Sequence, residues 1–284
     1  MGVWEYGREG RMWHGIRHAA GMYRRLIVVQ VRSQIEYRAA FFLDLLAMAI
    51  ATAASFGTLA LILQRFEGIA GWTLGQVAFL YGMVEMAFGT MDLIFGGFDY
   101  DTFGPLVRRG TFDQLLLRPV DITLQVLGSQ FALRRLSRIA QGVAVFGLAL
   151  SLVNARWTMV KIAYLPLVFA SQVAFFGGLF IIGSTTTFWT VQRLEVLNIF
   201  TYGGTEMMSY PMSIYHKSMR RFFTYVVPAI FLNYYPALYF LDKPDPFHMP
   251  PFVSFLAPIV GWGTFALALA FWRFGIRHYQ STGT

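Results

Sequence analysis

The sequence predicts an all-α integral membrane protein with six transmembrane helices. Hydrophobic residues make up 56% of the 284 residues and charged residues only 13%, against about 25% charged residues in ordinary soluble domains. The apolar residues fall into runs of about 20, the length at which a helix crosses a bilayer. Aromatic residues reach 17%, and these side chains suit the lipid interior and its two boundaries.

Six apolar segments are predicted to be spans, of which 137–153 is slightly short and 194–214 is interrupted by polar residues, glycines and Pro211. They are 41–63, 73–98, 137–153, 162–190, 194–214 and 254–273. The segment 219–240 is also apolar, but Pro228 and Pro236 interrupt it. Because irregular backbone at membrane depth must be buried in protein or line a cavity, this segment is predicted to form a re-entrant or interfacial helical hairpin.

The whole chain is predicted to be one transmembrane domain, residues 1–284. Its parts are an amphipathic cytoplasmic helix at 1–40, spans one and two at 41–98, a cytoplasmic loop at 99–136, spans three to five at 137–214, an outer re-entrant region at 215–253, and the last span and tail at 254–284. The first part is predicted to rest on the membrane surface, because arginines alternate there with apolar residues at helical spacing.

Charge predicts the orientation of the spans. The net charge is +8, and 16 of the 23 Lys and Arg residues fall on the side that carries both termini. Since cytoplasmic loops are the positive ones, both termini are predicted to be cytoplasmic. The basic cluster His216–Arg221 is then on the outside, against the trend. The positive charge is interpreted as contact with membrane lipid rather than with nucleic acid.

Sequence motifs for nucleotide binding, zinc binding and nucleophilic catalysis are absent. There is no GxxxxGK[ST] phosphate loop, no HExxH zinc motif, no GxSxG nucleophile and no cysteine, and the five histidines are scattered. We therefore expect no catalytic residues, no metal site and no cofactor bound by this chain. The protein is predicted not to be an enzyme by itself.

The loop after the second predicted span contains a short amphipathic helix. Gly104-Pro105 is predicted to start a new element, and Thr111 to cap the helix through its side-chain oxygen. Asp113 follows in the first turn, where the helix dipole favours an anion. Leu115–Leu117 give an apolar face and Pro119 a stop. Three arginines frame the helix: Arg108, Arg109 and Arg118. Such a surface suits the docking of a separate protein.

Carboxylates also occur within the predicted spans. Possible pathway-lining residues are Glu85, Asp92, Glu206 and Tyr210. A charge at the bilayer centre costs roughly 2.5–3.5 kcal/mol on insertion scales, so Glu85 and Asp92, seven residues apart on one face, are expected to face protein or water. For Glu85, two interpretations stay open: a residue lining a pathway, or a neutral or paired structural carboxyl. The glycine pair Gly177-Gly178 is predicted to permit close helix packing.

Residues Arg109–Pro119 resemble the Gly-Thr-Leu-Glu-x-Leu-Leu-x-x-Pro segment of ABC-2 type transporter permeases, and most of all a small bacterial branch with paired permeases. Further segments follow in that family's order: Arg193-Leu-Glu195, Tyr210-Pro-Met-Ser-Ile-Tyr215, Leu232-Asn-Tyr-Tyr-Pro-Ala237 and Arg277-His-Tyr-Gln-Ser-Thr282. The resemblance covers about residues 20–282. The chain departs from the pattern with Phe112 for Leu, Asp113 for Glu, and extra residues before Pro236.

The resemblance implies the permease subunit of an ATP-driven ABC exporter in the bacterial inner membrane. The chain would pair with a second permease, identical or related, and with a homodimer of ABC ATPase subunits that holds ATP and Mg²⁺. The N-terminal helix would be a connecting helix, and the loop 103–119 would contain the coupling helix. The residues implied in coupling are Arg109, Gly110, Thr111, Phe112, Asp113, Leu115, Leu116, Arg118 and Pro119.

Two other functions are compatible with the sequence. The first is an ion-coupled secondary transporter that uses the intramembrane carboxylates Glu85, Asp92 and Glu206, and it predicts gradient-driven transport without an ATPase. The second is a membrane enzyme acting on lipids, which predicts turnover by the purified chain and a group of polar residues at one membrane depth.

Overall fold

A computed structural model describes the chain at residues 70–190 and 195–280 and at part of the positions between 21 and 61. Residues 1–20, part of the predicted first span and Arg193 lie outside the described residues. In the described part the secondary structure is helical, without β-strands. From residue 70 onwards the α-helices are α1 (Leu74–Phe95), α2 (Tyr100–Arg108), α3 (Thr111–Leu116), α4 (Ile122–Leu127), α5 (Leu136–Leu152), α6 (Met159–Thr186), α7 (Glu195–Met208), α8 (Lys217–Arg221), α9 (Tyr234–Phe240) and α10 (Ala257–Arg277).

Three helices in the described part of the chain are long and apolar enough to cross a membrane. They are the continuous helical stretch Leu74–Arg108, α6 and α10. The all-helical prediction is therefore confirmed. The helix bounds lie close to the predicted segments at 73–98, 137–153, 162–190 and 254–273. Helix α7 is shorter than the predicted 194–214, because Pro211 follows it after two residues and cannot continue a helical ladder.

Side-chain caps fix where α1 and α6 begin. Thr73 and Gln76 form a reciprocal capping box at the start of α1, in which each side chain accepts a hydrogen bond from the other residue's backbone N–H. The Thr158 hydroxyl accepts the Lys161 N–H at the start of α6. These bonds satisfy N–H groups that have no partner within the helix.

Helices α1 and α5 run antiparallel and approach each other at glycines. A Cβ added to Gly82 would lie 2.7 Å from the Phe146 backbone nitrogen, and one added to Gly142 would lie 2.4 Å from that of Met86. Helices α6 and α10 are parallel, and a Cβ on Gly261 would meet the Ser171 carbonyl at 2.3 Å. Gly178 also faces the α10 backbone, at 3.2 Å from the Phe265 Cα. Small residues thus allow the close backbone contact on which helix association in lipid depends.

The segment 229–240 is buried within the helix bundle. The fully buried Asn233 side chain donates to the carbonyls of Leu80 in α1 (3.1 Å) and Met208 in α7 (2.8 Å). Its oxygen accepts from Gln172 of α6 at 3.2 Å, and Gln172 also donates to the Leu232 carbonyl at 2.9 Å. A single amide therefore joins α1, α6 and α7, and its polar atoms are satisfied, as burial requires.

The bundle has two distinct ends. At the loop end, residues 99–130 connect α1 to α5 and pack against the ends of α6 and α10. At the opposite end, which we call the cap end, Lys243 Nζ donates to the Gly71 carbonyl before α1 (2.7 Å), and Asp242 pairs with Lys161 at the start of α6. Part of the N-terminal region joins the loop end, where the Gln30 side chain donates to the Ser129 carbonyl at 2.9 Å.

Candidate functional site

A turn at Gly110 separates α2 from α3. Gly110 has φ +67°, the left-handed conformation that glycine adopts at little steric cost. Gly110 is the N-cap of α3, with no side-chain bond, and Thr111 is the first helical residue. The predicted cap by the Thr111 hydroxyl is therefore wrong, because the helix starts one residue earlier than the side-chain pattern suggested. Asp113 does lie in the first turn, as predicted.

Helix α2 begins before the position predicted from its Gly-Pro pair. The Asp99 carboxylate accepts the Asp101 N–H at 3.0 Å and caps the helix, which starts at Tyr100. Gly104-Pro105 lies within this helix and does not start a new element, contrary to the prediction. The side-chain cap at Asp99 starts the helix at Tyr100, five residues before Pro105.

An aromatic cluster joins α3 to the last helix. Its members are Phe98, Phe103, Phe112, Phe188, Trp272 and Tyr279. The Phe112 ring is fully buried and its centroid lies 5.5 Å from that of Phe103, 5.2 Å from that of Phe188 and 5.0 Å from that of Tyr279. The Trp272 indole N–H also donates to the Thr123 hydroxyl of α4 at 3.1 Å. The loop end is therefore anchored to α10 and to the end of α6 through aromatic packing.

Tyr279 occupies the rim of this cluster beside α3. Burial, together with the neighbouring Asp113 carboxylate, raises the pKa of the Tyr279 phenol to about 12. The phenol therefore stays neutral at physiological pH, and the tail after α10 contacts α3 through both a ring and a polar group.

Beyond Phe112 the helix presents an exposed tip, which consists of Leu116, Leu117, Arg118 and Pro119 together with Arg108 and Arg109. Leu117 is 85% exposed and Leu116 37%. The Gln125 amide donates to the carbonyls of Leu115 (3.1 Å) and Val120 (2.9 Å), which holds the tip in place. An apolar surface flanked by arginines thus projects from a firmly packed base.

The residues implied in coupling fall into three groups. Arg109, Leu116, Arg118 and Pro119 are exposed, Gly110, Thr111, Asp113 and Leu115 are half-buried, and Phe112 is fully buried. Phe112 therefore positions the helix from inside instead of contributing to its surface. Three consecutive leucines cannot share one helix face, so Leu115 packs on the core while Leu117 points outward.

Two carboxylates of α1 are paired with arginines at the start of α5, namely Arg135 just before the helix and Arg138 in its first turn. Glu85 is 4% exposed and accepts two hydrogen bonds from Arg138, at 2.6 and 2.9 Å. The Arg138 guanidinium also lies 4.4 Å from the centre of the Phe88 ring. Asp92 pairs with Arg135 at 2.9 Å. Of the two interpretations of Glu85, this bidentate contact favours the paired structural carboxyl, since a buried ion is tolerated when it is paired and hydrogen-bonded.

Glu206 and Tyr210 have a different environment. Glu206 is exposed on α7 and Tyr210 is half-buried just beyond that helix. Glu206 is close enough to both Tyr210 and Glu85 for Coulombic interaction. The structure therefore brings Glu85, Glu206 and Tyr210 into one neighbourhood, with Asp92 further along α1.

The sequence did not identify Arg135 and Arg138 as partners of Asp92 and Glu85. The two arginines entered the sequence analysis only as part of the positive charge of the loop. A signal was available. Two carboxylates inside an apolar span require countercharges, and the two arginines open the next helix, which must run back along α1. Their long side chains reach inward from the start of α5.

Residues 49–283 match the sequence profile of a family described as ABC-2 family transporter protein. The matched range includes the loop that contains α2, α3 and α4, the Glu85–Arg138 and Asp92–Arg135 ion pairs, and α10. The chain belongs to the ABC-2 transporter family. Comparisons with curated proteins and with solved structures found no match.

Family membership defines the general role of this ABC-2 protein. ABC-2 permeases are membrane transport components that are not catalytic themselves. With its apolar helices, the chain is a membrane-embedded transporter permease. Membership also implies association with an ABC ATPase, which gives the exposed tip of α3 its functional interest.

At the cap end of the ABC-2 protein, the half-exposed Asp242 carboxylate neutralises a buried cation. Lys161 is 3% exposed, and its ammonium donates to Asp242 at 2.7 Å and to the Phe240 carbonyl at 3.0 Å. The bond from Lys161 holds the pKa of Asp242 below its ordinary value, and the Arg156 N–H acts in the same direction. The loop that contains Asp242 is thereby tied to α6.

Asp242→Asn is expected to lower the free energy of unfolding by about 1 kcal/mol at neutral pH, the upper range for pairs with an exposed partner. Because the folded pKa is lowered, the carboxylate stabilises the fold above its ordinary pKa, and this contribution is lost as pH falls below about 4. Thermal unfolding in detergent between pH 3 and 7 measures the difference. In a Lys161→Met background, the same substitution is expected to have little effect. A constant difference at all pH values would contradict the assignment.

Proposed function

We propose that this chain is the permease subunit of an ATP-driven exporter. Two permeases, identical or related, form the substrate pathway, and a homodimer of separate ATPase subunits binds ATP and Mg²⁺. The ATPase docks on the exposed tip of α3. One observation supports this proposal above all: Leu117 is 85% exposed, whereas the helix before it is anchored through Phe112 in the aromatic cluster.

The chemistry of the tip suits a protein partner. Leu116 and Leu117 offer an apolar centre, and Arg108, Arg109 and Arg118 surround it with exposed guanidinium groups. Protein interfaces combine an apolar core with a polar rim, and arginine is enriched in them. The tip lies in the loop beyond the ends of the long apolar helices, so a soluble ATPase can reach it.

Packing at the base of the tip offers a route for movement. Helix α3 is fixed to α10 through Phe112 and Trp272, and α2 continues from α1 with only three residues of 3-10 helix and Asp99 between them. Displacement of the tip by a closing ATPase dimer would therefore move whole helices, as a rigid-body transition does. ATP drives such a change only through contacts that favour one state.

The proposed topology has six spans, with both termini in the cytoplasm of a bacterial cell whose inner membrane holds the protein. The directions of the described helices agree with it. Helix α1 runs from the cap end to the loop end, α5 runs back, and α6 and α10 are parallel to α1. The loop end is then cytoplasmic, and the segment 217–240 enters the bundle from outside as the proposed re-entrant hairpin.

Among the polar residues, Glu206 and Tyr210 are the ones we assign to the pathway. Glu206 is the exposed carboxylate of this group, whereas Glu85 and Asp92 are bound to Arg138 and Arg135. A second permease packed against α7 would enclose Glu206 between the two subunits.

Leu117→Asp tests the docking proposal. A carboxylate at the centre of the apolar patch is expected to weaken ATPase association at least about tenfold, as for a hot-spot residue. The measurement is co-purification of the full-length complex and its ATPase rate in liposomes. Asn154→Asp, an exposed position at the cap end, adds the same charge and is expected to have no effect. Unchanged association of Leu117→Asp would exclude the tip as the docking surface.

A further inference from the structure

A cleft at the cap end carries a concentration of positive charge. It has a volume of about 300 Å³ and lies between α8, the segment after it and the loop before α10. The lining residues are Lys217, Arg220, Arg221, Thr224, Tyr225, Ile230, Tyr235, Phe247 and Met249. The cleft lies near the start of α1, since Phe247 packs on Tyr234 (5.9 Å between ring centres) and Tyr234 packs on Trp72 (5.7 Å).

No ion pair neutralises the three cations of the cleft within the described part of the chain. Lys217, Arg220 and Arg221 form no salt bridge there, whereas Arg135, Arg138 and Lys161 are each paired with a carboxylate. Three adjacent positive charges repel one another and would all attract an anion placed in the cleft.

Arg220 is held in an orientation suited to binding. Its guanidinium carbon lies over the Phe247 ring, 4.4 Å from the ring centre, and this cation–π contact holds the side chain against the ring. The nearby Asp245 carboxylate accepts the backbone N–H groups of Phe247 (3.0 Å) and Met249 (2.8 Å). Asp245 thereby fixes the loop under Arg220 and forms no salt bridge with the guanidinium. Arginine held in this way presents parallel N–H donors that match two oxygens of a phosphate.

Solvent-accessible apolar side chains surround the cleft. Tyr225 is 77% exposed, Val226 64% and Met219 44%, which places large apolar side chains beside the cations. Ile230 and Met249 form an apolar part of the lining. A soluble anion would use only the cations, whereas a lipid would use both surfaces, with its acyl chains along the exposed apolar side chains.

We propose that this cleft binds a phosphate ester, contributed by the headgroup of an anionic phospholipid in the leaflet at the cap end. Arg220 contacts two phosphate oxygens, Lys217 and Arg221 supply further positive charge, and Tyr225 and Val226 contact the acyl region. This site is independent of the docking surface at the loop end.

Native mass spectrometry of the full-length protein in detergent tests the proposal, with titration of phosphatidylglycerol, phosphatidylcholine and glycerol 3-phosphate. Arg220→Gln is expected to raise the Kd for phosphatidylglycerol about tenfold, because a charge-assisted bidentate contact is lost. Phe247→Leu, which keeps the charge but removes the ring, is expected to raise it about threefold. Arg156→Gln removes an exposed charge at the same end and is expected to leave the Kd unchanged.

The outcomes separate the sources of phosphate. Preference for phosphatidylglycerol over phosphatidylcholine that depends on Arg220 supports a lipid headgroup site. Binding of glycerol 3-phosphate with the same dependence supports the phosphate chemistry and assigns the ligand to a soluble ester. Equal losses in Arg220→Gln and Arg156→Gln would overturn the proposal, since general attraction between charges would then suffice. Equal affinity for both lipids would also overturn it, since the cleft would then not recognise the net negative charge of the headgroup.

Discussion

Glu85→Gln is expected to destabilise the protein by about 3–5 kcal/mol, the cost of leaving one member of a buried ion pair without its partner. Arg138 would keep its charge in the interior, 4.4 Å from the Phe88 ring centre, with no carboxylate in bidentate contact. Thermal or denaturant unfolding of the detergent-solubilised protein measures the effect.

Two comparisons make the Glu85 prediction specific. Glu206→Gln changes an exposed carboxylate and is expected to alter stability by less than about 0.5 kcal/mol. Glu85→Leu combined with Arg138→Met removes both charges and is expected to recover most of the loss, because buried pairs can be replaced by apolar residues of similar volume. A stable Glu85→Gln protein that had lost ion-driven transport would instead support the ion-coupled transporter.

Phe112→Ala is expected to cost about 3–5 kcal/mol in the free energy of unfolding, the usual range for removal of a buried aromatic ring. Phe112 is fully buried and contacts Phe103, Phe188 and Tyr279. The loss should concentrate at the loop end, so that hydrogen exchange in residues 100–127 speeds up before exchange in α6. Stimulation of the ATPase by substrate should also fall, because the tip loses its link to α10.

Phe252→Ala is the matched control for Phe112→Ala. Phe252 is 63% exposed at the cap end and contributes little packing within the chain, so its replacement is expected to cost below about 1 kcal/mol. If both substitutions had the same effect on stability and on ATPase stimulation, the aromatic cluster would not be the connection between α3 and the last helix.

Most of the fold could be predicted from the sequence because lipid imposes a simple rule: spans are long, apolar and helical. The bounds of α5 and α10 therefore lie within a few residues of the predicted 137–153 and 254–273. Details that depend on tertiary contacts could not be predicted in this way. The close approach at Gly82 and Gly142 requires knowledge of which helices are neighbours, and the interrupted segment at 219–240 folds around Asn233, whose three partners lie on separate helices.

The candidate site was predictable in position but not in detail. The pattern at residues 109–119 indicated a short helix in a loop, and α3 is that helix. It could not indicate that Phe112 points inward and Leu117 outward, because this is decided by aromatic residues more than 70 positions away, among them Phe188 and Trp272. The cation cluster at Lys217–Arg221 was visible in sequence, but the Phe247 ring that contacts Arg220 is brought close only by the fold.

The proposed function requires that the exposed tip of α3 lies in the cytoplasm and is covered by a separate ATPase. The chain has no cysteine, so Leu117→Cys provides a unique thiol, and Asn154→Cys a control at the cap end. A membrane-impermeant maleimide is expected to label Leu117→Cys only in inside-out vesicles, with labelling blocked once the ATPase is bound, and Asn154→Cys only in intact cells. Labelling of Leu117→Cys from outside the cell would exclude a cytoplasmic tip, and labelling that the ATPase does not reduce would exclude docking at Leu117.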